Sequence, residues 1–280
     1  MDGFHTIWKD YTERKIATNP DYMTQLIARE GGGLVIPNVK VKSVGCWDTV
    51  GSLGVPSLRL PFFGDINIAR GEGQSFHNVE LSDKIENAFH ALALDEHRGP
   101  FTPTLWRKQP GSSTNLKQVW FPGVHTNIGG GYDNQEIADI TLAWMIQQLS
   151  PFLEFSKGYL KSIVQNHADT YSQEWAAGTV YDSATGFMRL FSGNHRTPGF
   201  YGTTAETEET IHKSVRIRMK MVPSWESRAL KGWVWKEEGY YEKDGNRLFE
   251  DTLGNVEKKL AGVHIVKNML GERMPKDVEW

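Results

Sequence analysis

Two short segments, each an apolar run that ends at a polar residue, constrain the fold of this chain more than any other feature. Residues 39–47 (VKVKSVGCW) change from alternating to apolar and are followed by Asp48. Residues 116–121 (LKQVWF) are closed by a Pro-Gly pair and followed by His125. Such runs are typical of strands inside a parallel sheet, and polar groups just after them project from its carboxyl edge. The sequence therefore predicts an α/β fold in which Asp48 and His125 meet.

Helical patterns surround these strands. Residues 1–17 and 21–30 predict two short helices at the start of the chain. Ser82 is a suitable N-cap for a helix over residues 84–94, where apolar side chains recur with helical spacing. Residues 134–149 are apolar on nearly all sides, which is typical of a buried helix. The Pro- and Gly-rich residues 56–70 predict a loop.

The second half of the chain has a weaker pattern. Residues 215–221 (VRIRMKM) and 232–235 predict short strands, and residues 251–260 predict a brief helix. We therefore expect two parts: an α/β domain over residues 1–154, and an irregular α+β lid or satellite region over residues 155–280.

Composition narrows the function classes. Charged residues make up 23% of the chain, the net charge is −3, and the signs are mixed, which argues against nucleic acid as a partner. The single cysteine, Cys46, excludes an intramolecular disulfide and favours a reducing, cytoplasmic location. Residues 1–10 do not have the pattern of a signal peptide, and no apolar run is long enough for a membrane span.

Asp48 and His125 are the residue types that a hydrolase needs as acid and base, because a carboxylate holds the imidazole in one tautomer. The glycines Gly129, Gly130 and Gly131 precede a predicted helix, so their N–H groups are candidates for an oxyanion nest or pocket backbone. The alternatives are a helix cap, a core histidine and a plain tight connection. The further pocket candidates are Trp47, Thr49, Arg98, Trp106 and Asp133.

A nucleophile is not evident. The chain contains no Gly-x-Ser-x-Gly motif, and both Ser52 and Ser75 lack its flanking pattern. The cluster over residues 95–98 (DEHR) is expected to be a solvated helix end, with Arg98 or Glu96 as an alternative at a pocket mouth. We expect no metal, because His90, Glu96 and His97 lack the spacing of zinc-binding helices, and we expect no cofactor.

Four blocks of sequence resemble a known family. They are residues 44–56 (VGCWDTVGSLGVP), 76–106, 116–132 (LKQVWFPGVHTNIGGGY) and 138–145 (ADITLAWM), in the order of the family. The chain resembles the α/β-hydrolase-like catalytic domain of type VI secretion phospholipase effectors, which has many fungal members. The resemblance implies a triad of a serine in a Gly-Phe-Ser-Arg-Gly segment, an aspartate and the histidine of a PGxH motif. It assigns the base to His125 and the acid to Asp48, with Asp133 as the second choice.

The Gly-Phe-Ser-Arg-Gly segment is missing, and it would belong upstream of residue 44. The resemblance therefore implies a truncated, doubly wound α/β-hydrolase-like sheet in a fragment or a short relative that has lost the serine. An exposed sheet edge would need cover from residues 155–280, self-association or a partner. The implied function is an esterase or phospholipase acting on a small-molecule or lipid substrate. The alternatives are a repurposed cyclase or isomerase that uses acid–base chemistry, and a non-catalytic interaction module.

Overall fold

The computed structural model describes residues 7, 9–10, 13, 21–29, 39–51, 58–60, 64–66, 80–156, 158–159, 162 and 176–260. Two compact units are present, Met1–Val41 and Lys42–Trp280. The first contains helix α1 (Tyr22–Arg29), which confirms the helix predicted over residues 21–30. The helix predicted over residues 1–17 lies almost entirely outside the described residues. Among the helices in the described ranges, none combines the length and the apolar character needed to cross a membrane.

A seven-stranded mixed sheet forms the centre of the second unit. In spatial order its strands are β1 (Val44–Trp47), β4 (Asn87–Ala93), β5 (Asn115–Phe121), β6 (Glu209–His212), β9 (Asn246–Asp251), β8 (Tyr240–Lys243) and β7 (Val234–Lys236). The first five strands in this spatial order (β1, β4, β5, β6 and β9) are parallel to one another. The last two, β8 and β7, each pair antiparallel with the strand before them. This arrangement confirms the α/β class, and β6 to β9 show that residues after 154 extend the same sheet.

The helices connect and cover these strands. They are α2 (His125–Gly129), α3 (Glu136–Leu149), α4 (Thr204–Thr207), α5 (Lys213–Met221) and α6 (Asn255–Leu260), with short 3-10 turns at Gly99–Phe101, Gly186–Phe191 and Arg228–Leu230. The helices predicted over residues 134–149 and 251–260 are thus confirmed. Two further strands, β2 (Leu58–Leu60) and β3 (Gly64–Ile66), form an antiparallel pair where only a loop is predicted.

The helix predicted over residues 84–94 is wrong, because this segment forms strand β4. Its apolar spacing fits a helix, but all seven residues of Asn87–Ala93 are buried. The strand lies between β1 and β5, so both of its edges are paired, and the burial of all seven residues means that both of its faces are covered as well. A central strand of a parallel sheet is apolar throughout, and periodicity alone does not separate such a strand from a buried helix.

The strand predicted over residues 215–221 is also wrong, because these residues belong to helix α5. The alternation in VRIRMKM imitates a half-buried strand. The side chain of His212, at the end of β6, accepts a hydrogen bond from the N–H of Ser214 and caps the helix at its first turn. The cap and the burial of Val215 and Ile217 override the alternation.

Apolar side chains cover both faces of the sheet, which fixes its carboxyl edge in place. On β5, Val119 and Phe121 pack in one cluster together with Trp144 of α3. Trp120, between them in sequence, packs in the other cluster, with Val215 of α5. Because successive residues of a strand point to opposite faces, β5 anchors both layers, and the residues that follow it are held firmly.

Candidate active site

Asp48 follows β1 directly at the carboxyl edge of the sheet. Its backbone has φ 45°, in the left-handed region that only a few non-glycine residues, aspartate among them, adopt readily. Strand β4 holds this conformation, since the N–H of Asp48 donates to the carbonyl of Ala91 (2.7 Å) and the N–H of Ala93 donates to Oδ1 of Asp48 (2.8 Å). The carboxylate is therefore fixed between two strands.

His125 lies beside this carboxylate at the same edge of the sheet, as the positions of both residues just after predicted strands lead us to expect. Its Nδ1 is 2.8 Å from Oδ2 of Asp48. The imidazole is 31% exposed, whereas the Asp48 side chain is 1% exposed, so the base is partly accessible while the acid is buried. The ring of Phe101 contacts the imidazole edge-on at 5.0 Å between centroids.

The turn before His125 explains its position. Gly123 has φ 114°, and a Cβ at this position would lie 2.8 Å from Cβ of Asn127, so the turn requires glycine. Gly123 and Asp95 exchange two hydrogen bonds: the N–H of Asp95 donates to the carbonyl of Gly123 (2.9 Å), and the N–H of Gly123 donates to Oδ2 of Asp95 (2.7 Å). The N–H of His125 donates to Oε2 of Glu96 at 3.2 Å. The start of helix α2 is therefore tied to the end of β4.

Arg196 is a third member of the site, and sequence reasoning missed it. Its guanidinium is buried and binds both oxygens of Asp48, with Nη1 at 2.5 Å from Oδ1 and Nη2 at 2.9 Å from Oδ2. Nη2 also donates to the carbonyl of Phe101 (2.7 Å). Burial alone would raise the pKa of Asp48, but the charge of Arg196 and the hydrogen bonds from His125 and Arg196 hold it well below the usual value. Asp48 is therefore ionised at neutral pH.

His90, in the middle of β4, supports the turn after Asp48. Its Nε2 accepts the N–H of Thr49 (3.0 Å), which leaves the ring proton on Nδ1, 3.3 Å from Oε1 of Gln118. Burial is the main cause that lowers the pKa of His90 to about 4, so the ring is neutral at pH 7. Thr49 is thus a backbone contact of the site, and Trp106 lies against His90 at 5.4 Å between ring centroids.

Glu96 is buried, so the prediction that residues 95–98 form a solvated helix end is wrong. These residues follow strand β4, and Oε1 of Glu96 accepts hydrogen bonds from the N–H groups of His97 and Arg98 and from Oγ of Ser183. Burial opposes ionisation, but the hydrogen bonds from Arg98 and Ser183 lower the pKa of Glu96 to about 2. The guanidinium of Arg98 also lies 3.6 Å from the centre of the Phe101 ring. Glu96 thus fixes the backbone of His125 and, through Arg98, the ring of Phe101.

The three glycines end helix α2 instead of preceding a helix directly. Gly130 has φ 79°, and the N–H groups of Gly130 and Gly131 both donate to the carbonyl of Thr126 (3.1 and 3.0 Å). These two N–H groups are therefore occupied, as in a helix C-cap, and are not free for an oxyanion. Gly129 and Gly130 line a cavity of about 270 Å³ together with Trp47. Asp133 is exposed, and Asp48 is the acid that contacts His125.

A nucleophile is not found in the described part of the chain, where no hydroxyl or thiol is hydrogen-bonded to Nε2 of His125. Ser52 and Ser75 lie outside the described residues. A serine does meet a histidine elsewhere: Oγ of Ser214 is 2.7 Å from Nδ1 of His212, whose Nε2 is 2.9 Å from Oε1 of Glu257. All three side chains are buried, so this group is a structural cap of α5 and not a second site.

Comparison with known proteins agrees with the resemblance seen in the sequence. The family described as "T6SS, Phospholipase effector Tle1-like, catalytic domain" matches residues 1–148, just over half of the 280 residues. The matched range contains Asp48 and His125, whereas Arg196 lies beyond it. No curated protein and no solved structure is significantly similar to the chain. The chain belongs to the Tle1-like family of type VI secretion phospholipase effector catalytic domains.

Proposed function

We propose that the chain is a hydrolase of carboxylic esters, of the phospholipase type, in which Asp48 and His125 are the acid and the base. The observation that carries this proposal is the 2.8 Å contact between Nδ1 of His125 and Oδ2 of Asp48. Because Asp48 is ionised, it accepts the hydrogen bond, and the proton of a neutral imidazole is on Nδ1. The lone pair of Nε2 then faces away from the acid and can take a proton from a nucleophile.

The surrounding residues suit this role. Asp48 holds the imidazole in one tautomer and stabilises the imidazolium that forms during the reaction. Phe101 restricts the rotation of the ring, and Glu96 fixes its backbone. After the base has taken the proton, the imidazolium returns it to the departing alkoxide, so an ester and water give a carboxylic acid and an alcohol.

Two nucleophiles are compatible with this pair, and both leave the roles of Asp48 and His125 unchanged. A serine outside the described residues would form an acyl-enzyme, which water then hydrolyses. A water molecule deprotonated by His125 would instead attack the ester carbonyl directly and form no covalent intermediate. A phosphonylating reagent of the fluorophosphonate class separates them, because it labels an activated serine and does not label a site that activates only water.

The test is the rate of hydrolysis of p-nitrophenyl butyrate and of a short-chain phosphatidylglycerol. We expect His125→Ala and Asp48→Asn to lower the rate by roughly 100- to 10,000-fold, the usual contribution of a positioned general base. Arg189→Gln, a change at an exposed arginine, is the matched control and should hydrolyse both esters at the wild-type rate. Equal rates for wild type and a folded His125→Ala variant, with melting curves that match, would exclude the proposed function.

A further inference from the structure

A cavity of about 370 Å³ adjoins the active site at the carboxyl edge of the sheet. Its lining includes Val124, the residue before His125, together with Leu94 and Asp95 at the end of β4. Three side chains of basic residues, which form one cluster, also line it: His97, His195 and Arg228. A larger cavity of about 940 Å³ shares four lining residues with it, namely His195, Trp225, Glu226 and Arg228. Of the basic cluster, His195 and Arg228 therefore lie where the two cavities meet.

Arg228 is the principal charge of this cluster. Its Nη1 is 3.2 Å from Nε2 of His195, and since the guanidinium is always a donor, Nε2 accepts and the proton of His195 is on Nδ1. In the described residues no carboxylate lies within 4.0 Å of Arg228, whereas Arg98 and Arg196 each bind one. Most of the five N–H donors of Arg228 are therefore available to a ligand.

The carboxylates that line the smaller cavity are largely compensated. Oδ1 of Asp182 accepts the N–H of Ala184 (2.9 Å) and lies 3.4 Å from Nε2 of His97. Burial raises the pKa of Asp95, which favours its uncharged form. Glu226 is exposed and is the carboxylate that opposes an anion here. Around His195, burial and then the charges of Arg228 and His97 lower the pKa, so this histidine stands in a positive environment.

We infer that Arg228 and His195, with His97 beside them, form a binding subsite for a phosphate ester group. The inference rests on the proposed function for its place in catalysis, since a phosphate bound here belongs to the substrate whose ester reaches His125. A guanidinium presents two parallel N–H donors that match two phosphate oxygens, and Nδ1–H of His195 adds a third donor. The ring of His97 lies 6.2 Å from that of His195 and borders the subsite, while its two nitrogens face the carbonyl of Asp95 (3.2 Å) and Oδ1 of Asp182 (3.4 Å).

The binding test uses inorganic phosphate and glycerol 3-phosphate as probes, with the ring resonances of His195 followed by NMR in the full chain. We expect Arg228→Gln to weaken binding about tenfold, because a charge-assisted pair is lost. Glu226→Gln, two residues away, should strengthen binding about twofold because a repelling charge is removed. A structural disturbance is not expected to weaken phosphate binding in Arg228→Gln and strengthen it in Glu226→Gln, since both residues are exposed. Absence of binding of both probes, or equal affinity in wild type and Arg228→Gln, would overturn the inference.

Rates of ester hydrolysis then show whether the subsite binds the head group of a lipid or a soluble phosphate ester. For a lipid head group, Arg228→Gln lowers the ratio of kcat/KM for short-chain phosphatidylglycerol to that for p-nitrophenyl butyrate about tenfold. If glycerol 3-phosphate binds through Arg228 but this ratio does not change, the subsite serves soluble phosphate esters. If the wild type hydrolyses neither ester, the proposed function fails, and the phosphate titration still decides the subsite by itself.

Discussion

Replacing Arg196 with glutamine removes the buried cation that binds both oxygens of Asp48. The variant keeps a carboxylate that is 1% exposed, and among the described residues the N–H of Ala93 and the imidazole of His125 remain as its hydrogen-bond partners. Removing one partner of a buried ion pair typically costs about 3–5 kcal/mol of the free energy of unfolding. For a chain of this size each kcal/mol lowers Tm by roughly 2–4 °C, so we expect Tm to fall by about 10 °C.

The pH dependence of this loss identifies its cause. The pKa of Asp48 in the folded chain lies below its ordinary value of 3.8, so its stabilising effect is complete above about pH 4 and is lost as the pH falls further. The difference in unfolding free energy between wild type and Arg196→Gln should therefore be largest at neutral pH and shrink as the pH falls below about 4.

The assay is urea unfolding followed by tryptophan fluorescence, at neutral and acid pH. Arg189→Gln, at an exposed arginine, is the matched control and should change the unfolding free energy by less than about 0.5 kcal/mol. The double variant Asp48→Asn/Arg196→Gln removes both charges of this pair and should recover part of the loss. An Arg196→Gln variant within about 1 kcal/mol of wild type, or a difference that is the same at every pH, would refute the electrostatic argument.

Three further changes test other contacts. His90→Gln removes a group whose pKa is about 4 in the folded chain and 6.5 ordinarily. As the pH falls from 6.5 to 4, the unfolding free energy of the wild type should therefore decrease by about 3 kcal/mol more than that of the variant. An equal decrease in both proteins would contradict this. Gly123→Ala should cost roughly 1–3 kcal/mol and slow ester hydrolysis, since φ 114° and Asn127 exclude a Cβ; a wild-type melting curve would argue against it. Ser214→Ala should lower stability by about 1 kcal/mol and leave hydrolysis unchanged, whereas a folded but inactive variant would show that the His212 group has a catalytic role.

The parts of the fold that the sequence predicts are those marked by a local pattern of apolar and polar residues. Strands β1 and β5 are apolar runs closed by a polar residue, and α3 is apolar over four turns. Strand β4 carries an equally apolar run, but its spacing also fits a helix, and only its place between two strands decides the outcome. The register of β4 against β1 and β5 is what brings Asp48 and His125 together.

The rest of the site depends on contacts that leave no local pattern. Arg196 is 148 residues from Asp48 in sequence, and nothing around it marks it as a partner of a buried acid. Glu96 stands in a charged run, and charged runs are usually solvated, so its burial follows only from the hydrogen bonds that satisfy it. For the glycines after His125, the sequence indicates a turn but does not show which of their N–H groups are hydrogen-bonded at the end of the helix.

The position of the imidazole proton decides whether His125 can act as the base. Nitrogen-15 NMR of the imidazole at a pH where the ring is neutral distinguishes the two tautomers. Because Oδ2 of an ionised Asp48 lies 2.8 Å from Nδ1, we expect a proton on Nδ1 and a free lone pair on Nε2 in the wild type, with this preference lost in Asp48→Asn. A proton on Nε2 in the wild type would contradict the assignment of His125 as the base.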